Sequence, residues 1–107
     1  MINRFMRVMV FFDIPVNTSK KRKEYTQFRR SLIRDGYFML QYSVYSRTVR
    51  NRDDAESHIA QLRTILPPEG SVRALLVTEK QYENMRVLLG DRYAEETYLD
   101  SSDLLEL

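Results

Sequence analysis

The sequence has no cysteine and, in 107 residues, only three glycines, three prolines and one histidine. Without cysteine there is no disulfide scaffold, no thiolate nucleophile and no thiolate metal site. The glycines do not form a phosphate-cradling loop, no nucleophile elbow occurs, and a lone histidine rules out a Cys/His metal cluster. No apolar run approaches the roughly 20 residues that a membrane-spanning helix needs. Met1-Ile2-Asn3-Arg4-Phe5 leads directly into a strand-like pattern, without the basic, apolar and small-residue regions of a signal peptide, so a cytoplasmic protein is expected. What is present, 43% hydrophobic and 30% charged residues, suits one domain with one modest core.

The formal charge of +2 hides an asymmetry: residues 1–50 carry 11 basic and 3 acidic side chains, and residues 51–107 carry 6 and 12. A basic first half can offer a patch to phosphates, and an acidic second half can face a basic partner or its own first half. A mixed, solvated surface is the bland alternative.

Residues 5–14 are rich in β-branched and aromatic types and read as a strand. Alternation puts Met6, Val8, Val10 and Phe12 on one apolar face, and Arg7, Met9, Phe11 and Asp13 on the other, before Ile14-Pro15 stops the strand. Asn17 or Thr18 can cap a helix running to about Asp35, with Gly36 in the left-handed closing position. Tyr25, Phe28, Leu32 and Ile33 form its inward stripe. At about 100° per residue, Lys20, Lys23, Gln27, Arg30 and Arg34 fall together on the outer surface as a cationic ridge.

Residues 37–49 read as strand, break near Gln41, strand. A helix from Asn51 or Asp53 follows, with Ala55, Ile59, Leu62 and Leu66 inward, and Pro67-Pro68 ends it. Val72–Thr78 is a fourth strand. Thr78-Glu79-Lys80-Gln81 has capping-box spacing and opens a helix with Tyr82, Met85 and Leu89 at helical intervals, up to Gly90. The order β-α-β-β-α-β predicts an α+β, ferredoxin-like domain over residues 1–90, with two helices covering one face of a four-stranded antiparallel sheet and the other face open. Met6, Met9, Met39 and Met85 read as gap-fillers in apolar patterns. Residues 91–107 form an acidic tail. A short strand around Thr97–Leu99 is expected to add to a sheet edge, and Tyr98, Leu99, Leu104 and Leu105 are candidate partner-docking residues.

His58 lies on the flank of the second helix's apolar stripe and reads as a half-buried packing residue rather than a catalytic one. Asp13 is the oddest residue, a carboxylate ending a buried-looking strand on the open face. It can be a strand-ending Asp that accepts bonds from following amides or caps the first helix. Its functional reading needs a partner for the charge, because Mg²⁺ is held by one or two carboxylates together with waters and substrate phosphate. A two-fold homodimer joined through the open sheet faces, burying Arg7, Met9 and Phe11, would bring two copies of Asp13 around one shared Mg²⁺, able to activate water against a phosphodiester.

A strand ending Val10-Phe11-Phe12-Asp13-Ile14-Pro15, a basic first helix, and Gly36-Tyr37 leading to Gln41-Tyr42-Ser43-Val44-Tyr45-Ser46-Arg47 resemble the CRISPR-associated protein 2 family over nearly the whole chain. The resemblance implies a homodimer of CRISPR adaptation that holds double-stranded spacer DNA and bridges subunits of the CRISPR-associated protein 1 integrase. It also implies a metal-dependent endonuclease acting on RNA or DNA, with Asp13 as the catalytic and metal-binding residue. Ser43-Val44-Tyr45 matches the family's second block. Phe12 departs from the pattern, which usually has tyrosine there, so any role of that hydroxyl is absent. The ridge then has a task, since neutralising phosphates gives affinity without base readout. Lys20, Lys23, Arg30 and Arg34 are the first nucleic-acid-binding candidates, with Arg47 and Arg50 next. The alternative is a ferredoxin-like ligand-sensing or oligomerisation domain with no nucleic-acid function.

Overall fold

A computed structural model describes residues 5–90. Its elements are β1 (Met6–Asp13), α1 (Ser19–Arg34), β2 (Phe38–Gln41), β3 (Val44–Val49), α2 (Arg52–Arg63), β4 (Ser71–Thr78) and α3 (Glu79–Glu83). The strands lie in the order β2-β3-β1-β4, and every neighbouring pair is antiparallel. This is the ferredoxin-like arrangement expected of the pattern. Among the described residues no helix is long and apolar enough to cross a membrane.

Local chemistry sets the element ends. Thr18 caps α1, its hydroxyl accepting from the Lys21 N–H at 3.1 Å. At the far end Gly36, at φ 93°, lets its own N–H reach the Ile33 carbonyl and the Tyr37 N–H reach Leu32. That paired closure satisfies two otherwise free carbonyls and folds the Tyr37 ring back into the core. Asn51 caps α2 by accepting from the Asp54 N–H at 2.8 Å. Thr78 and Gln81 form the reciprocal capping box at α3.

The core lies between the sheet and α1 and α2. Val8, Val10 and Phe12 of β1 and Tyr45 and Val49 of β3 meet Phe28, Leu32, Ala55 and Leu62. Phe12 is its aromatic centre, edge-on to Phe28 at 5.2 Å and within 6.1 Å of Tyr25 and 5.6 Å of Tyr45. Burying these apolar faces is what holds two short helices on the sheet.

Three expectations about packing are corrected. Ile33 and Leu66 are each 48% exposed rather than inward; Leu32 and Tyr37 fill the space at the end of α1, and Ile65 takes the inward place after α2. The third helix ends at Glu83, with Asn84 as its C-cap, and leaves Met85 and Leu89 exposed instead of packed. Most importantly, the second sheet face is not fully open. α3 lays Tyr82 over Met9 and Leu40, and Arg7 is buried beneath it. Arg7 donates to both oxygens of Glu79 at 2.9 Å, and its guanidinium stacks 3.9 Å from the Tyr82 ring centre. A charge buried on a strand needs this kind of forked partner, and α3 supplies it.

Candidate functional site

The short α3 divides the second sheet face into two halves. Arg7 and Met9 are covered within one protomer, so they are not free for association as the sequence suggested. The other half, at the end of β1, stays bare: Phe11 is 37% exposed, Leu75 is 54% exposed, and Arg73 and Asp13 are exposed beside them. The ladder aligns Phe11 with Arg73 and Asp13 with Ser71, and Leu75 lies beside the covered Met9, which makes one exposed strip on β1 and β4.

Asp13 stands at the tip of that strip. It does not cap α1, since Thr18 does. Among the described residues no hydrogen bond or ion pair engages its carboxylate. It is therefore a carboxylate with all its acceptor capacity free, held at the surface by its backbone. The β2–β3 turn reaches it from one side, where the Phe12 N–H donates to the Ser43 carbonyl at 3.0 Å. On the other side Gly70, just before β4, packs directly on the Asp13 main chain. The Val10-Phe11-Phe12-Asp13 and Ser43-Val44-Tyr45 segments thus meet, Phe11 pairing with Val44 and Val10 with Tyr45. Phe12 points the opposite way, into the core, so its missing hydroxyl is remote from the Asp13 face.

No group of three or more His, Asp or Glu side chains arranged to hold a metal ion occurs among the described residues. Among the described residues, Asp13 is the carboxylate that the exposed strip offers a divalent cation. That donor set fits half of a shared magnesium site, to be completed by a second carboxylate, waters or phosphate, and does not fit a closed site of its own.

The cationic ridge is present as the periodicity implied. Lys20, Lys23, Gln27, Arg30 and Arg34 are all exposed along α1. Arg22, Lys23, Thr26, Gln27, Arg30 and Arg34 are among the residues lining one shallow concavity on this helix. The ridge begins at the end of the molecule where β1 finishes, because only five residues separate Asp13 from Ser19. Lys21 is drawn off it toward Glu69 at 3.5 Å, which ties the start of α1 to the loop before β4.

Arg47 and Arg50 are placed differently. The half-buried Arg47 donates through Nε to the Asp35 carbonyl at 2.6 Å and through a terminal nitrogen to the Thr48 carbonyl at 2.8 Å. It closes the end of α1 instead of joining the ridge. Arg50 is largely exposed and lies 3.5 Å from Asp54. His58 is half-buried, as read from the sequence, with Nδ1 3.2 Å from Asp35 and Nε2 3.6 Å from Asp54. The Arg50 backbone N–H, then its side chain, hold the Asp54 carboxyl below the usual carboxylate value. Burial, assisted by Asp35 and opposed by Arg47, pushes the Tyr37 phenol up to about 12. This network joins α1 to α2 and lies at the other end of the sheet from Asp13. Tyr98, Leu99, Leu104 and Leu105 fall outside the described residues.

The fold is that of a small ferredoxin-like α+β domain with an exposed carboxylate at the end of its first strand and a cationic first helix. Comparison with known proteins narrows it. The profile of the CRISPR associated protein Cas2 family matches residues 6–85. The chain is 52% identical over 85 residues to the CRISPR-associated endoribonuclease Cas2 of Acidovorax ebreus, covering 79% of this chain and 83% of the relative. It is 48% identical over 90 residues to the protein of that name from Ligilactobacillus salivarius, covering 84% and 89%. With the one from Campylobacter jejuni it shares 49% over 88 residues, covering 82% of this chain but 62% of that longer relative. A solved structure described as a crystal structure of cas2 superimposes with a TM-score of 0.55 at 19% identity, covering 82% of this chain and 88% of that one, which supports the fold. The chain belongs to the CRISPR-associated Cas2 family.

Proposed function

We propose that the protein is a homodimeric, nucleic-acid-binding subunit of CRISPR adaptation with a metal-dependent endonuclease centre at a pair of Asp13 carboxylates. The observation that carries this reading is the Asp13 carboxylate, without a partner among the described residues, at the tip of an exposed strip that holds Phe11, Leu75 and Arg73. Phe11 and Leu75 are the surface that a second copy would cover, and a two-fold axis passing close to Asp13 would bring the two carboxylates together. The relatives' shared name, endoribonuclease, supports phosphodiester cleavage as the chemistry.

Asp13 from each protomer would hold one Mg²⁺. A divalent ion held there would supply activation of a water and neutralisation of phosphate charge. The chain's own contribution is to present two oxygens of fixed position and to collect the polyanion. Lys20, Lys23, Arg30 and Arg34 neutralise successive phosphates of a spacer duplex, or of RNA, with Arg50 at the margin; Arg47 serves as a strut. The acidic, leucine-bearing end of the chain, with Tyr98, Leu99, Leu104 and Leu105, docks on the CRISPR-associated protein 1 integrase.

Asp13→Asn in purified dimer is the test. Cleavage of RNA and DNA should disappear in Mg²⁺ while the circular dichroism spectrum and duplex affinity stay as in the wild type. Retained cleavage would remove the endonuclease centre from Asp13. A protein that stays monomeric at micromolar concentration, or whose duplex binding is indifferent to salt, would sink the dimer or the nucleic-acid role respectively. Deleting residues 97–107 should abolish co-purification with the integrase.

A further inference from the structure

Two residues with left-handed backbones flank the end of β1, one from each side. Ser43 has φ 66°. An L-residue adopts that region at a cost of about 1–2 kcal/mol, and serine lacks the enrichment there that Asn, Asp and His show. What the conformation achieves is visible: the Ser43 carbonyl accepts from the Phe12 N–H, one step past the last β1–β3 pair, Phe11 with Val44. A right-handed residue in this two-residue turn would swing the carbonyl away from β1. Gly70 has φ 114°, and a Cβ added to it would stand 2.6 Å from the Asp13 carbonyl oxygen and 3.1 Å from the Ile14 Cα. That is closer than side-chain carbons approach main-chain atoms, so only a bare Cα lets this loop press on Asp13.

Between these two contacts no bond to another of the described residues fixes the Asp13 side chain. Its place is inherited from the backbone. We infer that Ser43 and Gly70 are positioning residues, which set where the Asp13 carboxylates stand in the shared cation site. This deepens the proposed role of Asp13 and rests on it. Two-fold symmetry gives the pair its leverage, because a displacement in one protomer is repeated in the other and the separation of the carboxylates changes by up to twice as much. Mg²⁺ tolerates little of that, since its oxygens must lie near 2.0–2.1 Å in almost regular octahedral geometry. Strained backbone at a functional carboxylate is where such constraint is expected to collect.

The experiment measures Mn²⁺ binding by the full-length protein, from the electron paramagnetic resonance signal of free Mn²⁺, well below the melting temperature. Amide exchange and Tm are followed in parallel. Ser43→Val and Gly70→Ala should each weaken Mn²⁺ binding about tenfold or more, the scale seen when groups that orient a ligand are removed. Ser43→Gly, which adopts the same backbone freely, should bind as the wild type does. In Ser43→Val the Phe12 amide should exchange faster while the Val8 amide does not. Should that variant fail to fold, Gly70→Ala is read in its place. Folded variants with a lower Tm but unchanged Mn²⁺ affinity would overturn the inference, while loss of binding in Asp13→Asn would leave the role of Asp13 standing. Wild-type Mn²⁺ binding by Asp13→Asn would overturn both.

Discussion

α1 and α2 lie side by side on the same sheet and each buries two residues completely, Phe28 and Leu32 in one, Ala55 and Leu62 in the other. Both close on an arginine, Arg34 and Arg63, but the charges at their N-terminal ends are arranged in opposite senses. α2 opens with Asp53 and Asp54 and closes with Arg63, which complements the helix dipole at both ends. α1 has no acidic residue in its first turn, and Lys20, Lys21, Arg22 and Lys23 crowd the end where the dipole is already positive. Each of those cations is unfavourable by roughly 0.3 kcal/mol or more at low salt. A helix that tolerates this is held by its inner face, and its outer face is free to answer to something else. Polyanion binding, as proposed for this helix, would turn the repulsion into affinity.

The comparison breaks if the inner faces are not equivalent. Leu32→Ala and Leu62→Ala should each cost about 2–5 kcal/mol, read by denaturant unfolding, because both side chains leave a cavity in the same core. A loss under 1 kcal/mol at Leu32 would mean that α1 is held by its surface after all. The outer faces are where the helices should diverge. Changing Lys20, Lys23, Arg30 and Arg34 together to Gln should weaken duplex binding about a hundredfold near 0.1 M salt and reduce the slope of log K against log salt by about 3 to 4. Stability should stay level or rise by a few tenths of a kcal/mol, since two of those cations oppose the dipole. Arg52→Gln with Arg63→Gln, on α2, should leave the salt slope unchanged.

Most of the frame was legible because its signals are local. Alternation marked β1, caps marked α1 and α2, and the 100° period placed every ridge residue on the exposed side. The errors at Ile33, Leu66, Met85 and Leu89 share a cause. Periodicity says which residues can face inward, but the end of a helix decides how far the stripe runs, and that depends on what fills the space beneath. The cover over half of the second face was hidden for a different reason. Arg7 and Glu79 are 72 residues apart, and only the unexplained charge on a buried strand hinted at a partner. At the candidate site the carboxylate was readable as an anomaly. Ser43 was not, because nothing in a serine announces a left-handed turn, and a glycine three residues after Pro67 in a turn-rich run, as Gly70 is, does not announce a close contact with Asp13.

The caps offer a finer comparison. Thr18→Ala and Asn51→Ala each remove one side-chain acceptor from a first turn, and each should cost about 1 kcal/mol in thermal or denaturant unfolding. The loss at Thr18 should grow as salt is lowered, because the first turn of α1 must then hold its unscreened cations without a cap. At Asn51 the salt dependence should be weaker or reversed, Asp53 and Asp54 being well placed for the dipole.

The smallest effect separates the helices by pH. The Asp54 carboxyl is lowered from its ordinary value of 3.8, first by the backbone N–H of Arg50 and then by its side chain. A group whose folded pKa is depressed contributes stability that is present above its unfolded pKa and is lost as pH falls through the folded one. Acidification below about pH 4 should therefore release Arg50 and fray the start of α2, seen as faster exchange of the Arg50 amide and shifts at Ala55. The start of α1 has no acidic residue in its own first turn and meets one only through the surface pair Lys21–Glu69, so its exchange rates should change less over the same interval. Asp54→Asn should make the two helices alike in this respect, and a wild-type α2 that frays no earlier than α1 would show that the opposed charge arrangements do not reach the backbone.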